Sequence, residues 1–336
     1  MDTRQLISLQ QIKGCGAATI RQIVSKYQKL KLGGLSDPEF FEFVNNCVSS
    51  GLKRCRLKTL SQSGFSYAIE KAERLIEKSD RHGIKVVSYV DSFFPSQLLK
   101  TVNEEGKPDM PLILYYKGDI SVARKKGIAI IGTREPTKEG VHTGEYIGEK
   151  LAEAGYNIVS GLAIGCDTAG HRGALNAVQG ITTAFLAHGL DSVYPPENER
   201  LADEIVDKGG LLMSEYPIGE TVNRYYLVAR DRLQAALSDA TIVIQTGLHG
   251  GTNHAANTTL ISGKPLFCVR YANDELMHNE KVEGNVALVS KGAKYITSGD
   301  FMAQIKSHVG EPNVVAKVQE EKPEEQKELF LFPIDE

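Results

Sequence analysis

The 336-residue chain has no apolar run approaching the ~18 residues of a membrane-spanning helix, so a helical membrane span is not expected. Its five cysteines (Cys15, Cys47, Cys55, Cys166 and Cys268) are odd in number, scattered, and form no Cys-x-x-Cys pair. That pattern argues against a disulfide framework or a zinc site and toward a reducing cytoplasm. The opening residues, MDTRQLISLQQIKGCG, lack the apolar core of a signal peptide, which again points to a cytoplasmic location. No internal repeat is evident. The G-x-G-x-x-G fingerprint of dinucleotide folds is also missing. After the apolar run IAII the chain reads Gly132-Thr133-Arg134, with arginine where the second glycine would stand. No cofactor and no metal ion are expected.

With 41% hydrophobic and 24% charged residues, the composition is that of a soluble globular protein long enough for one large or two smaller domains. The formal net charge of −3 conceals an asymmetry. Residues 1–90 hold fifteen Lys/Arg against eight Asp/Glu, while the stretch from Lys317 to Glu336 holds three against seven. A basic front end suits either an anionic partner or a solvated helical surface.

Residues 1–83 show helical periodicity: Leu6, Leu9 and Ile12, then Ile20, Ile23, Val24 and Tyr27. A later helical pattern ends at Gly83, a residue type favoured just past a helix C-terminus. From Ile84 the character changes. Short apolar runs (IKVVSYV, LILYYKG, IAIIGT, YNIVSG, ITTAFLA, LLMSEY, TIVIQTG, LFCVRY) alternate with amphipathic stretches. Near-continuous apolar strands separated by helices predict an α/β fold over 84–310, with a mostly parallel sheet covered on both faces. Residues 311–336 are rich in Glu and Lys and read as a disordered acidic tail.

Three glycine-bearing turns could carry chemistry. In IKGCGAATI, Lys13, Gly14 and Gly16 lie between two helical stretches, resembling a helix-hairpin-helix element whose amides approach a DNA phosphate; a plain helical turn fits equally. The Gly132-Thr133-Arg134 turn precedes a helix beginning near Lys138, whose free first amides and dipole would favour an anion, with Arg134 adding a cation. In SGLAIGCDTAGHRGAL, Ser160, Gly161 and Gly165 bring backbone close to the previous turn. There Asp167 suits a helix cap as well as a binding role, and His171 a packed position as well as a ligand contact.

Taken in order, FFPSQLL with PLILYYKGD, IAIIGTR, SGLAIGCDTAGHRGAL, ITTAFLAHGLDSVYPPENERL, GGLLMSEYPIG and EGNVALVSKGA resemble the DprA/Smf family of DNA-processing proteins. The resemblance covers roughly residues 85–300. It implies an extended Rossmann-type fold, binding of single-stranded DNA, a homodimer, and delivery of the strand to a RecA-type recombinase. It does not imply an enzyme.

Two departures from the family pattern stand out. The family has an Arg-Asn-Arg run where this chain reads Arg230-Asp231-Arg232, placing a carboxylate beside the expected phosphate path. Upstream, Arg224, Tyr225 and Tyr226 interleave cation and ring, suiting either backbone contact with base stacking or core packing. The family's Ser-Gly-Ser-type segment is replaced by Gly250-Gly251-Thr252, which resembles the phosphate loop of the LOG nucleotide phosphoribohydrolases. That enzyme pattern needs a glutamate a few residues on, where this chain has Asn253, His254 and Asn257, so hydrolysis is not expected. The alternative is a regulatory component of a defence or toxin–antitoxin locus, with a toxin-like protein as partner. Finally, Gln326, Leu329 and Phe330 in QKELFLF resemble the peptides that dock on a sliding clamp, though the same cluster could pack on its own domain.

Overall fold

A computed structural model describes residues 1–30, 32–53 and 55–312. The expected clamp peptide at Gln326, Leu329 and Phe330 lies outside the described residues. The chain forms two compact units, the first comprising residues 1–94 with Leu112–Leu114 and the second built from Pro95–Pro111 and the chain from Tyr115 onward.

The first unit contains α1 (Thr3–Gln11), α2 (Ala17–Lys29), α3 (Asp37–Ser49), α4 (Gln62–Arg81) and β1 (Lys85–Ser88). Asp2 starts α1 through a capping box with Gln5, and Ser36 starts α3 through one with Glu39, each box satisfying amides that a helix leaves free. Leu6, Leu9, Ile23, Val24, Phe40 and Val44 are fully buried, so the apolar stripes of the sequence form this unit's core. Gly83, at φ +67°, ends α4 in the left-handed conformation that glycine adopts without steric cost.

The second unit follows as β2 (Ile113–Gly118, entering from Tyr115), β3 (Gly127–Ile131), α5 (Lys138–Glu153), β4 (Asn157–Ser160), α6 (Cys166–Asn176), β5 (Ile181–Leu186) and α7 (Glu199–Asp207). Then come β6 (Leu211–Ser214), α8 (Arg224–Leu237), β7 (Ala240–Val243), α9 (Thr252–Ile261), β8 (Leu266–Val269), α10 (Asp274–Met277), α11 (Glu283–Ser290), β9 (Lys294–Ile296) and α12 (Phe301–Val309). The strands run β2-β6-β5-β4-β3-β7-β8-β9. Every neighbouring pair is parallel except β2 with β6. This is the mostly parallel, helix-covered sheet that the apolar runs predict. The short β9 carries only three residues with little apolar character and is not among the predicted strands.

β3 shows why the strands read as unbroken apolar runs. Ile128 and Ile130 join the core on one face, with Ile158, Ile242 and Phe267, while Ala129 and Ile131 join the core on the other, with Val243, Cys268 and Leu288. Helices cover both faces, so alternation has no polar side to report. From β3 the chain progresses outward through β4, β5 and β6, then returns to lay β7 on β3's other side. The loops after β3 and β7 therefore leave the sheet in diverging directions and open a crevice at its C-terminal edge.

Two helices beneath that edge are packed backbone to backbone. A Cβ at Gly148 of α5 would lie 2.6 Å from the Gly170 carbonyl of α6, and one at Gly173 would lie 2.1 Å from the Glu145 carbonyl. Nothing flexible can yield at these contacts. Gly173→Ala is expected to force α5 and α6 apart and lower stability by about 1–3 kcal/mol in a denaturant or thermal melt. An unchanged melting curve would show that the helices are less tightly registered.

Candidate functional site

The crevice is a cleft of about 460 Å³ at the C-terminal ends of β3 and β7. Gly132, Thr133 and Arg134 supply one wall, Gly250, Gly251 and Thr252 the other, and Asp167, Arg230 and Asp231 line it between them. The turns singled out in the sequence thus meet, but several residues do other work than expected.

The N-terminus of α5, expected to hold the anion, is closed by the protein itself. Thr137 Oγ1 accepts from the Gly140 amide at 3.2 Å, and the Thr137 amide donates to Gln245 Oε1 at 2.9 Å. Gln245 Nε2 in turn donates to Thr137 Oγ1 at 3.0 Å. The Gln245 carbonyl also accepts from the Thr133 amide at 2.7 Å, which pins the Gly132 turn against the end of β7. A side chain 108 residues away in sequence therefore occupies the amides where a phosphate was expected.

The open amides lie instead at α9. Gly251 caps this helix without a side-chain hydrogen bond, and the N–H groups of Gly250, Gly251 and Thr252 have no partner among the described residues. Gly250 sits at φ +151°, a conformation that side chains rarely adopt. Free amides at the positive end of a helix dipole make an anion site, and glycines keep the approach open.

Arg230 is the central cation. It is only 5% exposed, yet it lines the cleft. Nη1 donates to the carbonyls of Gly161 (2.6 Å) and Phe185 (2.5 Å), at the ends of β4 and β5, and Nε donates to Asp231 Oδ1 at 3.0 Å. Nη2 is left without a partner among the described residues, with two N–H groups still to satisfy. Gly161 is required by this side chain and not by a ligand, since a Cβ there would lie 2.0 Å from Nη1. Gly165, at φ +86°, likewise makes room for the Thr133 and Arg134 backbone. Arg134 itself is exposed on the cleft wall, with no hydrogen bond or ion pair among the described residues.

Three predicted contacts prove to be structural. Ser160 is fully buried and donates to the Ile130 carbonyl at 2.6 Å. His171 is fully buried, with Nδ1 2.7 Å from Thr182 Oγ1. Because that hydroxyl donates to the Ile158 carbonyl, the histidine must be the donor, which fixes the neutral Nδ1–H tautomer. Burial pushes its pKa down to about 3, so it carries no charge for a phosphate. Arg232 corrects the expectation of a paired arginine track. Its guanidinium is held by Glu215 at 2.7 and 2.9 Å and by Asp109 at 2.6 Å, and it does not line the cleft. Burial opposes its charge, but Glu215 and Asp109 outweigh that and raise its pKa.

Two carboxylates complicate the cleft. Asp167 accepts from the amides of Gly161 (3.1 Å) and Ala163 (3.3 Å), so it caps the loop before α6 and not the helix. Burial raises its pKa against the pull of Arg230. Asp231, paired with Arg230 and with Gln234 Nε2 at 3.1 Å, is pushed up to about 6, chiefly by burial and further by Asp167. Among the described residues no cluster of three or more His, Cys, Asp or Glu could hold a metal. No helix among them is long and apolar enough to cross a membrane.

At the start of α8, Arg224 is exposed, while Tyr226 stacks on Tyr216 with ring centroids 3.8 Å apart. The freely exposed ring is Tyr225, at 86%. In the first unit Lys13, Gly14 and Gly16 are exposed in the turn between α1 and α2. Gly14 packs against the Arg56 carbonyl, and Gly16 caps α2 with no side-chain bond. Sequence reading missed Gln245, and it missed Asn198, whose Nδ2 donates to the Leu162 carbonyl and Thr168 Oγ1, both at 2.8 Å. Leu162 is the sole non-glycine at positive φ (+61°) among the described residues, a backbone conformation that Asn198 helps hold.

Comparison with known proteins places these features in a group. Residues 85–306 match the family described as DNA recombination-mediator protein A. Protein Smf of Escherichia coli K12 is 30% identical over 230 residues, 68% of this chain and 58% of the relative. The chain spans just over half the length of such curated relatives. DNA processing protein A from Streptococcus pneumoniae superposes with a TM-score of 0.71 at 24% identity, covering 90% of this chain and 98% of that one, a likeness of fold. The Helicobacter pylori protein, whose structure is described in terms of its single-stranded DNA binding mode, gives a TM-score of 0.56 at 30% identity. It covers 67% of this chain and 96% of that one.

Because the folded pKa of Asp231 is raised, its contribution to stability is fully present below about pH 4 and is lost as pH rises through about 6. Asp231→Asn is expected to flatten this slope, worth roughly 3 kcal/mol, in urea melts between those pH values. An unaltered pH profile would contradict the placement of a buried, strained carboxylate there.

Proposed function

The chain belongs to the DNA recombination-mediator protein A family, the DprA/Smf proteins, and on that premise we propose that its cleft holds the phosphate backbone of single-stranded DNA. One observation carries the reading. The unpaired amides of Gly250, Gly251 and Thr252, the free Nη2 of Arg230 and the free guanidinium of Arg134 all belong to one cleft. Amides, a helix dipole and two arginines recognise a phosphate whatever base it carries. The protein then acts as a DNA-binding mediator. It shelters a strand and passes it to a RecA-type recombinase, working as a homodimer, as the family description suggests. Hydrolysis of a nucleotide is not part of this reading, because the positions after Thr252 offer Asn253, His254 and Asn257 and no glutamate.

Asp231 tunes the site. Ionised, it opposes a phosphate in the same cleft while holding Arg230 in place. Asp231→Asn keeps a hydrogen-bond acceptor for Arg230 Nε and removes the charge. It is expected to tighten oligothymidylate binding by on the order of fivefold at neutral pH, measured by fluorescence anisotropy. Unchanged or weaker binding would place the phosphate away from this carboxylate.

Arg134→Ala is expected to weaken single-stranded DNA binding by a similar factor for every sequence tested. It should also reduce the slope of log affinity against log salt by roughly 0.7, the loss of one phosphate contact. Unchanged affinity and slope in that variant would overturn the assignment of the cleft.

A further inference from the structure

A second cavity of about 230 Å³ adjoins the phosphate cleft and shares Arg134 and Arg230 with it. Its other walls are of a different kind: Ile164, Tyr194, Pro195, Pro196 and Leu227, with the carboxylate of Glu197 at the rim. Apolar and aromatic walls with a single polar group describe a site for a flat ring, and the volume falls below the usual range for drug-sized ligands. We propose that this cavity takes one unstacked base of the bound strand, and that Glu197 selects guanine there. The proposal rests on the phosphate reading of the neighbouring cleft and adds a base to it.

The cavity is built on fixed parts. His188 is buried, its Nδ1 2.8 Å from the Gly189 carbonyl, and its Nε2 accepts from the Tyr194 amide at 3.2 Å. Asn198, 3% exposed, anchors the following turn to the Leu162 carbonyl and to Thr168. Tyr194 is thus held at its backbone while its ring remains 42% exposed, a surface on which a base can stack. Arg134 and Arg230 lie where the two cavities meet, so a phosphate gripped there leaves its own or the adjoining nucleotide beside the apolar pocket.

The preference for guanine follows from the chemistry of the rim. Glu197 has no hydrogen bond or ion pair among the described residues, and an ionised carboxylate only accepts. On their pairing edges, guanine offers two adjacent donors, N1–H and the exocyclic amine. Adenine and cytosine place an acceptor beside their amine, and thymine flanks its one N–H with two carbonyl oxygens. Only guanine meets both carboxylate oxygens without repulsion. For the other bases Glu197 brings a negative charge near the strand with nothing to satisfy it, so it acts against them as well as for guanine.

The test uses the full-length protein and oligothymidylates carrying guanine, hypoxanthine or adenine at every fourth position, with affinities read by fluorescence anisotropy. Wild type is expected to bind the guanine strand about tenfold tighter than the adenine strand, with hypoxanthine, which lacks the amine, between them. Glu197→Gln should bring the three within about twofold while leaving affinity for plain oligothymidylate intact or improved. Arg134→Ala should weaken all strands and leave the ratio unchanged. Absence of a guanine preference in wild type, or its survival in Glu197→Gln, overturns the base assignment and leaves the phosphate reading standing. Failure of wild type to bind any strand overturns both.

Discussion

A buried guanidinium has to be satisfied where it sits, and in this protein much of the cleft is arranged around that requirement. Arg230 reaches from α8 to the C-terminal edge of the sheet and bonds the last carbonyls of two neighbouring strands through one nitrogen. A charge so placed needs a counter-charge and complete hydrogen bonding to be tolerated. Asp231 supplies the first, and the strand ends supply part of the second. Gly161 must lack a side chain for the arrangement to exist. What is left over, the two N–H groups of Nη2, faces the cleft. The same interaction that closes the edge of the sheet therefore leaves a rigid, desolvated donor for a ligand.

The sheet's topology determines what that donor faces. Because the chain changes direction between β3 and β7, two helix N-termini approach the crevice, those of α5 and α9. They are not equivalent. Gln245 and Thr137 seal the first by mutual hydrogen bonding, whereas the glycines before the second leave its amides open. One helix start has become a structural joint between adjacent strands, and the other remains the anion site. Arg134 and Arg230 add charge to the latter and Asp231 subtracts it, so the balance is adjustable by a single substitution.

Much of this architecture was legible in the sequence. The strand runs were readable because both faces of the sheet are covered, and the glycine turns because the loops they form approach one another closely. The errors share one cause, which is partnership across long sequence separations. Arg232 reads as a free cation beside Arg230 until Glu215 and Asp109, from distant loops, are found to enclose it. The α5 N-terminus reads as open until Gln245 arrives from the far end of β7. Tyr226 reads as a stacking platform, yet its face is spent on Tyr216, and the exposed ring is its neighbour Tyr225. Local pattern reports which groups exist, but not which are already satisfied. Asn198 and His188 were hidden for the converse reason, since polar residues that brace a loop carry no periodicity.

The claim that the α9 amides, and not those of α5, receive the phosphate is tested most directly by amide-resolved NMR of the protein titrated with a short oligothymidylate. The account predicts that the Gly250, Gly251 and Thr252 amide resonances shift most, together with the Arg230 Nη2 protons, while those of Thr137 and Gly140 move little. Largest shifts at Thr137–Gly140, with Gly250–Thr252 unmoved, would contradict it.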